Sequence, residues 1–400
     1  MWSRIPLIAV ICTALFSNNS VGFNESDLVK VEVLNQCVEC DLRKADLSDT
    51  DLSRSQLSGA DLREADLHHS DLSNATLNNA KLRKANLSNA ALNVAHLRDT
   101  DMRNAILIRA NLRMAELRDA DLSKADLSYS NLARSSLIGA RFRGAILTGA
   151  NLGKADCRET DLSNAELSST NMAKINLRRG YLSGANLTQA VLTEAVLSRA
   201  DLSDAIIISA NLGQASLREA FLTGADLTGS DLRSADLVGA DLTDAVLIDA
   251  NLAHALLSRA MLGGSNLTGA NLNKVDLADA NLSGAILNDS KLIETNLSNA
   301  DLSGADFSNA RLIQANLRSA ILERANLTDA DLTNAILRKA NLKGADLSNT
   351  KLSGVDWSGT NLTEVDLSDS KIKKSHLTRA ILCGTILPWG EDNRNCRESQ

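Results

Sequence analysis

Cysteine and histidine are the residues of this chain best able to do chemistry, and the first question is whether their spacing allows it. The chain has six cysteines: Cys12, Cys37, Cys40, Cys157, Cys383 and Cys396. Cys37 and Cys40 form a C-x-x-C pair, a spacing that lowers thiol pKa values in thioredoxin-like folds, but no βαβ pattern surrounds it. A zinc site would need a second pair, which is absent. A redox site stays the alternative, but we expect a structural disulfide, given the export that the N-terminus predicts.

Residues 1–22 have the features of a cleaved secretory signal. Arg4 provides a positive charge, and an apolar run follows from Ile5 to Phe16. Ser20 and Gly22 are small residues at the −3 and −1 positions of a cut after Gly22. The apolar run is short for a bilayer span, although an uncleaved anchor is the alternative. We therefore expect a periplasmic or secreted protein with no membrane span after cleavage, and Cys12 leaves with the signal.

The composition excludes several classes of protein. Formal net charge is -7, from 49 acidic and 42 basic residues, which does not favour a nucleic-acid partner. Aromatic residues make up 2% of the chain, too few for an ordinary large core. The two prolines, Pro6 and Pro388, lie at opposite ends, and no Gly/Ser/Pro-rich linker divides the chain between them. These features indicate one continuous unit with a core of leucine and alanine.

A five-residue repeat runs without insertion from Cys40 to Leu387. Its form is Ala-(Asp/Asn)-Leu-(Ser/Thr/Arg)-X, and the central residue recurs at Leu42, Leu47 and so on through seventy repeats. The centre is leucine except at Met102, Phe142, Cys157, Met172, Ile207, Phe307, Trp357 and Ile372. Cys157 is therefore expected to be a small buried hydrophobe.

A period of five fits neither a helix nor a flat strand. On an α-helix, successive leucines would spiral around the axis and share no face. In a flat strand, an odd period would place alternate leucines on opposite sides. The chain must therefore change direction once per repeat, with the alanine and the leucine pointing inward. The remaining positions hold Asp, Asn, Ser, Thr and Gly, which are turn formers and suit a solvent-facing surface.

The sequence resembles the pentapeptide-repeat family. The segments ADLREADL (60–67), ANLSGAIL (280–287) and ADLSGADF (300–307) are typical of it, and the resemblance covers roughly nine-tenths of the chain. It implies an all-β fold, a right-handed quadrilateral β-helix or solenoid of four pentapeptides per coil. Seventy repeats then correspond to about 17 coils and a rod roughly 84 Å long. Such a solenoid needs a cap at both ends.

The predicted organisation has four parts. Residues 1–22 are the signal peptide, 23–39 an N-terminal cap, 40–387 the β-helix, and 388–400 a C-terminal plug or tail. In the cap, Ser26 could begin a short helix carrying Leu28, Val31 and Leu34, although Val29, Val31 and Val33 also alternate as in a strand. We favour the helix. The ends resemble exported bacterial members with terminal cysteines, so Cys383 and Cys396 are expected to close the plug around Trp389.

Nothing in the repeat predicts catalysis. With about 20 residues per coil, only His96 and His376 share a column, many coils apart, and His68, His69 and His254 lie elsewhere. No phosphate-binding loop is present. We therefore expect no enzyme activity, no cofactor and no metal site.

Residues twenty apart should stack in columns, and several columns are candidate surfaces. One is asparagine-rich, and we interpret it as a structural amide ladder: Asn111, Asn131, Asn151, Asn171, Asn211, Asn251 and Asn271. Two are basic: Arg43, Arg63, Arg83, Arg103 and Arg143, and then Arg98, Arg118, Arg158, Arg178 and Arg218. Asp41, Asp61, Asp101 and Asp121 lie beside the first of these. Mutual screening of charge explains them, and an anion- or polysaccharide-docking stripe is the alternative.

An apolar belt is predicted around the middle of the rod. At the position that usually holds an outward Asp or Asn it has Tyr181, Val191, Val196, Ile206 and Phe221, with Ile208 expected to be exposed nearby, and these residues are expected to lie on several faces. Exposed apolar side chains often mark contacts, so the belt is a candidate site for an unidentified protein partner or for self-association.

Three functions follow as hypotheses. The first is an exported, non-catalytic scaffold for protein–protein or surface interaction. The second, implied by the family resemblance, is a DNA-mimicking modulator of DNA gyrase, which the expected export and the balanced charge oppose. The third is binding of an ordered surface such as ice or glycan through a partial hydroxyl row: Ser48, Ser88, Ser128, Thr148, Ser168, Thr188, Thr228 and Thr268, with Ile108, Ile208 and Ile248 interrupting it.

Overall fold

The chain winds into a parallel β-helix whose coils are twenty residues long. The structure is a computed structural model that describes residues 22–394 and 396. Each outward residue before a central leucine forms a parallel bridge with the residue twenty positions on, from Gln36↔Gln56 to Asn341↔Asn361. Two hydrogen bonds join successive coils at each bridge, as when Leu47 N–H donates to Asp66 O at 2.7 Å and Asp66 N–H donates to Ala45 O at 2.9 Å. This spacing places the columns where the sequence predicts them.

Each repeat is one short extended piece followed by one tight turn. The residue two after each central residue has a positive φ, for example 58° at Asn74, and the next N–H closes the turn, as in the 3.0 Å bond from Ala75 N to Leu72 O. The left-handed conformation explains why Asn, Asp and Gly recur at that position. Since only one residue per repeat is bridged, the extended pieces are short. The named strands in the described part of the chain are β1 (Thr385–Leu387) and β2 (Gly390–Asp392), an antiparallel pair near the C-terminus.

The core fills the interior of the coils, where the inward side chains of successive coils stack. The central leucines and the small residues two positions before them are almost entirely buried along the rod. Phe142 and Phe307 replace leucine without being exposed, and Cys157 is fully buried as predicted. Burial raises the pKa of the Cys157 thiol, so this cysteine is an inert hydrophobe.

A helix covers the N-terminal end. It is α1 (Glu25–Leu34), and its N-cap is Asn24, whose side chain accepts the Ser26 N–H at 3.0 Å. The prediction of a helix agrees with this, but the expected cap at Ser26 was wrong by two residues. Val31 is buried against the first coil, whereas Leu34, expected on the inner face, is 64% exposed. Its exposure follows from the C-cap at Asn35, whose left-handed backbone (φ 56°) turns the chain into the first coil.

The regular ladder lapses near the C-terminus, although the sequence repeat continues there. No bridge joins 346 to 366, 351 to 371, or 356 to 376 within the described residues, and the ladder resumes at Asn361↔Ile381 and Asp366↔Ile386. A short 3-10 helix, Lys374–Leu377, replaces a regular turn. The prediction of an uninterrupted repeat structure to Leu387 was therefore wrong over this coil. No helix among residues 22–394 is long and apolar enough to cross a membrane.

Candidate interaction surfaces

The cysteines of the two ends are joined in pairs. Cys37 is bonded to Cys40, with Cα atoms 5.3 Å apart, and Cys383 is bonded to Cys396, with Cα atoms 4.8 Å apart. Asp27 lies near the first pair, and its ligand atom and the two sulfurs all lie within 4.8 Å of one another. Because the two sulfurs are bonded to each other, neither offers a thiolate to a metal ion. This group is therefore a staple of the N-terminal end.

The histidines do not converge. His68 lies 2.8 Å from the carboxylate of Asp66, and this hydrogen bond raises the pKa of the His68 imidazole. His96 lies 3.2 Å from Glu116, whose pKa is lowered by that hydrogen bond and by Arg98. Each is an exposed pair on the rod surface. The His69 ring packs edge-on against His68, with ring centroids 5.5 Å apart, but no hydrogen bond links a nucleophile to either pair among the described residues. Catalysis requires unlike groups that converge in a cleft, and these pairs do not supply that arrangement.

The first arginine column is largely neutralised by its own carboxylates. The guanidinium of Arg43 lies 2.7 Å from Asp41, that of Arg103 lies 2.7 Å from Asp101, and Arg63 pairs with Asp61 in the same way. These arginines hold the pKa values of Asp41 and Asp101 below their usual range. Arg143 reaches Asp161 at 3.7 Å. Since the charges are paired two residues apart, this column offers little free positive charge to an anion.

The second arginine column is paired in part. Arg98 lies 3.0 Å from Glu116 and Arg158 lies 2.7 Å from Asp156. Arg218 lies 2.8 Å from Asp236 on the next coil. Arg83 of the first column, and Arg118 and Arg178 of this one, form no ion pair within 4.0 Å in the described part of the chain. The unpaired guanidinium groups are isolated from one another along the rod.

The asparagine column bonds mainly to its own turns, and among the described residues its side chains join neighbouring coils at one place. Asn271 Nδ2 donates to Asn251 Oδ1 at 3.0 Å, and each Oδ1 also accepts a backbone N–H two residues on, such as Ala133 N at Asn131. The hydroxyl row is similarly engaged. Thr228 and Thr268 donate to Asp226 and Asn266 at 2.6 Å. Both columns therefore satisfy their own turns, and their polar groups are already bonded within the protein.

The predicted apolar belt does not form one patch. Its members lie on all four sides of the coil, and Ile208, which was expected to be exposed, is half-buried. Tyr181 and Phe221 are about half exposed and flank Asp201 in one column, beside Arg179 and Arg199. Further apolar side chains stand exposed at equivalent positions outside the belt: Ile106, Ile146, Leu256, Met261, Ile286, Ile321 and Ile336. These residues do not stand out as a local cluster in the sequence, because the substitution recurs along the whole rod.

One side of the rod, which we call the acidic face, has a charge pattern that the sequence analysis did not detect. It consists of the outward residues at 46, 48 and 49 and at every twentieth position after each. Between residues 46 and 369 it carries no lysine and a single arginine, Arg109. The carboxylates in the column that begins at 46 are those of Asp46, Asp66, Asp126, Glu166, Asp226, Asp306, Asp346 and Asp366.

The carboxylates of the acidic face are not neutralised by lysine or arginine. Asp126 accepts from the Ser128 hydroxyl at 2.6 Å, Glu166 accepts from Asn186 at 2.9 Å, and Asp306 accepts from Asn326 at 2.9 Å. No lysine or arginine of the described residues lies within 4.0 Å of the carboxylates in this column. The side chains between them are short, mostly Ser, Thr, Asn and Ile, so the face is long, smooth and negatively charged.

The adjacent side, which begins with the outward residues at 51, 53 and 54, carries the opposite charge. Its basic residues are Arg54, Arg113, Arg134, Lys154, Lys174, Arg233, Lys274, Lys291, Arg311, Lys351, Lys371, Lys373 and Lys374. The balanced composition thus conceals a strong separation of charge around the rod. This separation is visible when the sequence is arranged in rows of twenty residues, whereas the total charge of the chain does not show it.

The lapse in the ladder opens the last full coil. We call this region the opened coil: residues 346–356 form one wall and residues 366–376 the other. A cleft of about 720 Å³ lies between them, lined by residues that include Leu347, Leu352, Lys371 and His376. Leu352 is only half-buried, in contrast to the fully buried central leucines of the regular coils.

Comparison with known proteins agrees with this architecture. The family described as pentapeptide repeats (8 copies) matches nearly all of the chain between residues 40 and 379, in overlapping segments that begin at 40–79 and end at 340–379. No curated protein matches the chain.

Several solved structures are similar to it. HetL, a pentapeptide repeat protein involved in heterocyst differentiation regulation from the cyanobacterium Nostoc, is 33% identical over 54% of this chain and 90% of its own, with a TM-score of 0.27. Rfr23 from the cyanobacterium Cyanothece is 44% identical over 25% of this chain and 62% of its own, with a TM-score of 0.15. A trypsin-treated form of QnrB1, a plasmid-mediated fluoroquinolone resistance protein, is 20% identical over 57% of this chain and 89% of its own, with a TM-score of 0.26.

The family match extends over most of the chain, and the bridges twenty residues apart are those of a coil of four pentapeptides. The chain belongs to the pentapeptide-repeat family, whose members fold as right-handed quadrilateral β-helices.

Proposed function

We propose that this protein is an exported, non-catalytic scaffold that binds a basic surface of a partner protein through its acidic face. The observation that carries the proposal is the row of carboxylates without neighbouring lysine or arginine. Like charges held along a rigid rod attract a complementary surface and speed its association. Family membership supports an interaction role in general, and the choice of this face is specific to this chain.

The geometry of the acidic face suits docking better than the other surfaces do. Most of its side chains are short, so this protein would lose little side-chain entropy when a partner docks on it. Exposed isoleucines, such as Ile106, Ile146 and Ile206, interrupt the carboxylates and supply apolar contact area. Most arginines of the two columns, by contrast, are already engaged with carboxylates of the same chain, and the unpaired ones are isolated.

The test is a comparison of two variants that each remove three charges. Asp126→Asn, Asp226→Asn and Asp306→Asn neutralise the acidic face, while Asp201→Asn, Asp241→Asn and Asp301→Asn neutralise another side. Both sets keep the Oδ1 acceptor that each turn uses, and asparagine already occupies equivalent positions in this chain. Each protein is immobilised and exposed to envelope extract. We expect the wild type and the second variant to capture the same partner, and the first variant not to capture it. Equal capture by the two variants, or no capture at all, would contradict the proposal.

Export is a separate part of the proposal. The apolar run after Arg4 and the small residues Ser20 and Gly22 support it, and these positions, apart from Gly22, lie outside the described residues. Intact mass after cell fractionation tests it. A periplasmic or external species that begins at Phe23 is expected, and a full-length cytoplasmic species would overturn this part alone.

The acidic face is also what a DNA-mimicking modulator of gyrase would require. A duplex presents negative charge on all sides, whereas this rod carries lysine and arginine on its other sides, so we rank this function second. A supercoiling assay with micromolar protein decides it: inhibition or protection of gyrase would favour mimicry, and no effect would exclude it. Ordered-surface binding ranks third, because the hydroxyls of the row are bonded to Asp and Asn within the protein. Measurement of thermal hysteresis tests its ice-binding form.

A further inference from the structure

The opened coil exposes a row of backbone groups that every regular coil pairs. Elsewhere the central residue donates its N–H to the carbonyl nineteen positions on, as Leu327 does to Asp346 at 2.8 Å. The corresponding N–H groups of Leu347 and Leu352 have no acceptor among the described residues. On the facing wall, the N–H groups of Asp366 and Lys371 likewise have no carbonyl partner.

These unpaired groups lie along an accessible cleft, not in the core. The cleft of about 720 Å³ is lined by Leu347, Leu352, Asp366 and Lys371 themselves. Unpaired N–H and C=O groups in a row are a template for an added strand, because an extended peptide can satisfy them at the spacing of a sheet. The half-buried Leu352 side chain adds an apolar surface beside that row.

The sequence accounts for the opening at this coil. Trp357 occupies a central position that holds leucine in most coils, and it is 2% exposed. A side chain of this size is difficult to accommodate in a lumen built for leucine. The segment stacked over it forms the 3-10 helix Lys374–Leu377, so the next coil rises away from residues 346–356.

The wall formed by residues 366–376 carries Asp366 and Asp369 at one end and a group of lysines at the other, and these lysines indicate the kind of peptide. Lys371, Lys373 and Lys374 stand within four residues of one another, and none has a carboxylate within 4.0 Å in the part of the chain that the structure describes. His376 lines the same wall. Lys351 on the opposite wall lies 3.5 Å from Asp331 and is therefore already engaged. The free ammonium groups are complementary to carboxylates on a bound segment.

We propose that the opened coil binds an extended, acidic peptide segment of a partner protein by strand addition. The segment hydrogen-bonds to the backbone row at Leu347 and Leu352, places apolar side chains on Leu352, and directs its carboxylates to Lys371, Lys373 and Lys374. This site lies at the C-terminal end of the acidic face and shares Asp346 and Asp366 with it, but it differs in the lysines of its wall and in the chemistry that it recognises.

The experiment uses a soluble, labelled peptide of alternating valine and glutamate as the probe, with the mature chain intact. A valine–lysine peptide tests charge. A valine–glutamate peptide with alternate residues replaced by proline tests the backbone contacts, since proline cannot donate to the carbonyls of Asp366 and Lys371, which accept no backbone N–H among the described residues. We expect fluorescence anisotropy to show that the valine–glutamate peptide binds. The affinity for each of the other two peptides should be weaker by roughly tenfold or more. Equal affinity for the proline-containing probe would overturn strand addition.

Two matched variants locate the site. Lys371→Glu, Lys373→Glu and Lys374→Glu reverse the charge of the opened coil, while Lys84→Glu, Lys124→Glu and Lys154→Glu reverse three lysines of regular coils that also lack an ion pair. Only the first variant should lose affinity, by roughly tenfold or more, with an unchanged circular dichroism spectrum and melting temperature as the check on folding. Equal loss in both variants would mean that the probe responds to overall charge, and the proposal would be wrong.

Hydrogen exchange supplies a readout that does not depend on any variant. In the free protein, the amides of Leu347 and Leu352 should exchange much faster than those of Leu327 and Leu332, and the probe should slow the first pair alone. Slow exchange at Leu347 and Leu352 in the free protein would show that the coil is closed and would refute the site. The acidic-face variant Asp126→Asn, Asp226→Asn and Asp306→Asn should bind the probe as wild type does, so this proposal and the scaffold proposal can fail independently.

Discussion

At the scale of the residue, the outward Asp or Asn before each central leucine forms the turn of its own repeat. Its Oδ1 accepts the backbone N–H two residues on, as at Asp51, where it accepts Ser53 N at 3.0 Å. A hydrogen bond from the Ser53 side chain, and then that from the Ser53 N–H, lower the pKa of the Asp51 carboxyl. An asparagine offers the same acceptor without the charge. Exchange of Asp for Asn at this position therefore changes the surface charge without changing the fold.

The position two residues after each leucine allows a prediction about stability. Its backbone is left-handed, and Val94 holds a β-branched side chain there at φ 61°. Because that conformation costs an L-residue about 1–2 kcal/mol and asparagine tolerates it better, Val94→Asn should raise the free energy of unfolding by about 1 kcal/mol. Chemical denaturation measures the change. Val191→Asn, in an extended part of its repeat, is the control, and an equal gain there would show that the backbone is not the cause.

At the scale of the element, α1 illustrates how a weak helix is held by its surroundings. Valines at 29, 31 and 33 have poor helix propensity, and this is why the sequence left a strand open as the alternative. The structure adds what the sequence did not show. Asp27 is buried, its carboxylate accepts the Asp41 N–H at 3.1 Å, and Lys30 lies 2.6 Å from it. The cap is thus tied to the first coil by a carboxylate as well as by Val31.

The attachment of α1 should depend on pH in a defined direction. The hydrogen bond from Lys30, and then that from the Asp41 N–H, hold the pKa of Asp27 below its ordinary value near 3.8. The ionised form is therefore favoured in the folded state, so its stabilising effect is complete above that ordinary value and is lost as pH falls through the folded-state pKa.

Hydrogen exchange of α1, measured between pH 5 and about pH 2.5, tests this dependence after correction for the intrinsic rate. In the wild type, we expect the protection of the α1 amides to decrease as the pH is lowered. In Asp27→Asn, we expect this protection to be low and independent of pH. A pH dependence that persisted in Asp27→Asn would assign it to another group.

The opened coil is the element that the sequence did not predict. The five-residue period continues through Leu377 and Leu387, so the pattern alone predicts regular coils there. The five-residue period shows which side chains point into the core, but it does not show whether those side chains fit inside the coil. Trp357 was visible in the sequence as an unusual central residue, but the rise of the next coil depends on how neighbouring coils pack around it, which the period does not encode.

At the scale of the whole molecule, each coil contacts only the coils before and after it, so stability is a sum of local stacking terms. The sequence predicted the coil and its columns correctly, because the repeat kept an unbroken register for most of the chain. It did not reveal the acidic face, because overall charge averages over four sides. That surface became visible only when the residues were assigned to their sides.

Local stacking predicts that the cost of one core truncation depends on its coil. Leu187 is fully buried in a regular coil, so Leu187→Ala should lower the free energy of unfolding by about 2–5 kcal/mol. Leu352 is half-buried beside the cleft, so Leu352→Ala should cost only about 1 kcal/mol. Denaturation of both variants gives the comparison. Similar costs at the two positions would mean that the last coils pack as tightly as the middle ones.

The twenty-residue coil also governs how this chain can change in length. A deletion or duplication of twenty residues removes or adds one whole layer, and every column continues across the join. A change of five or ten residues keeps each leucine in the core but turns everything beyond it by a quarter or a half of the circumference. The acidic face would then break into two segments on different sides, while the fold stayed intact. Gene rearrangements in single repeats can therefore redirect a surface without disturbing the scaffold, and only those in multiples of four repeats extend it.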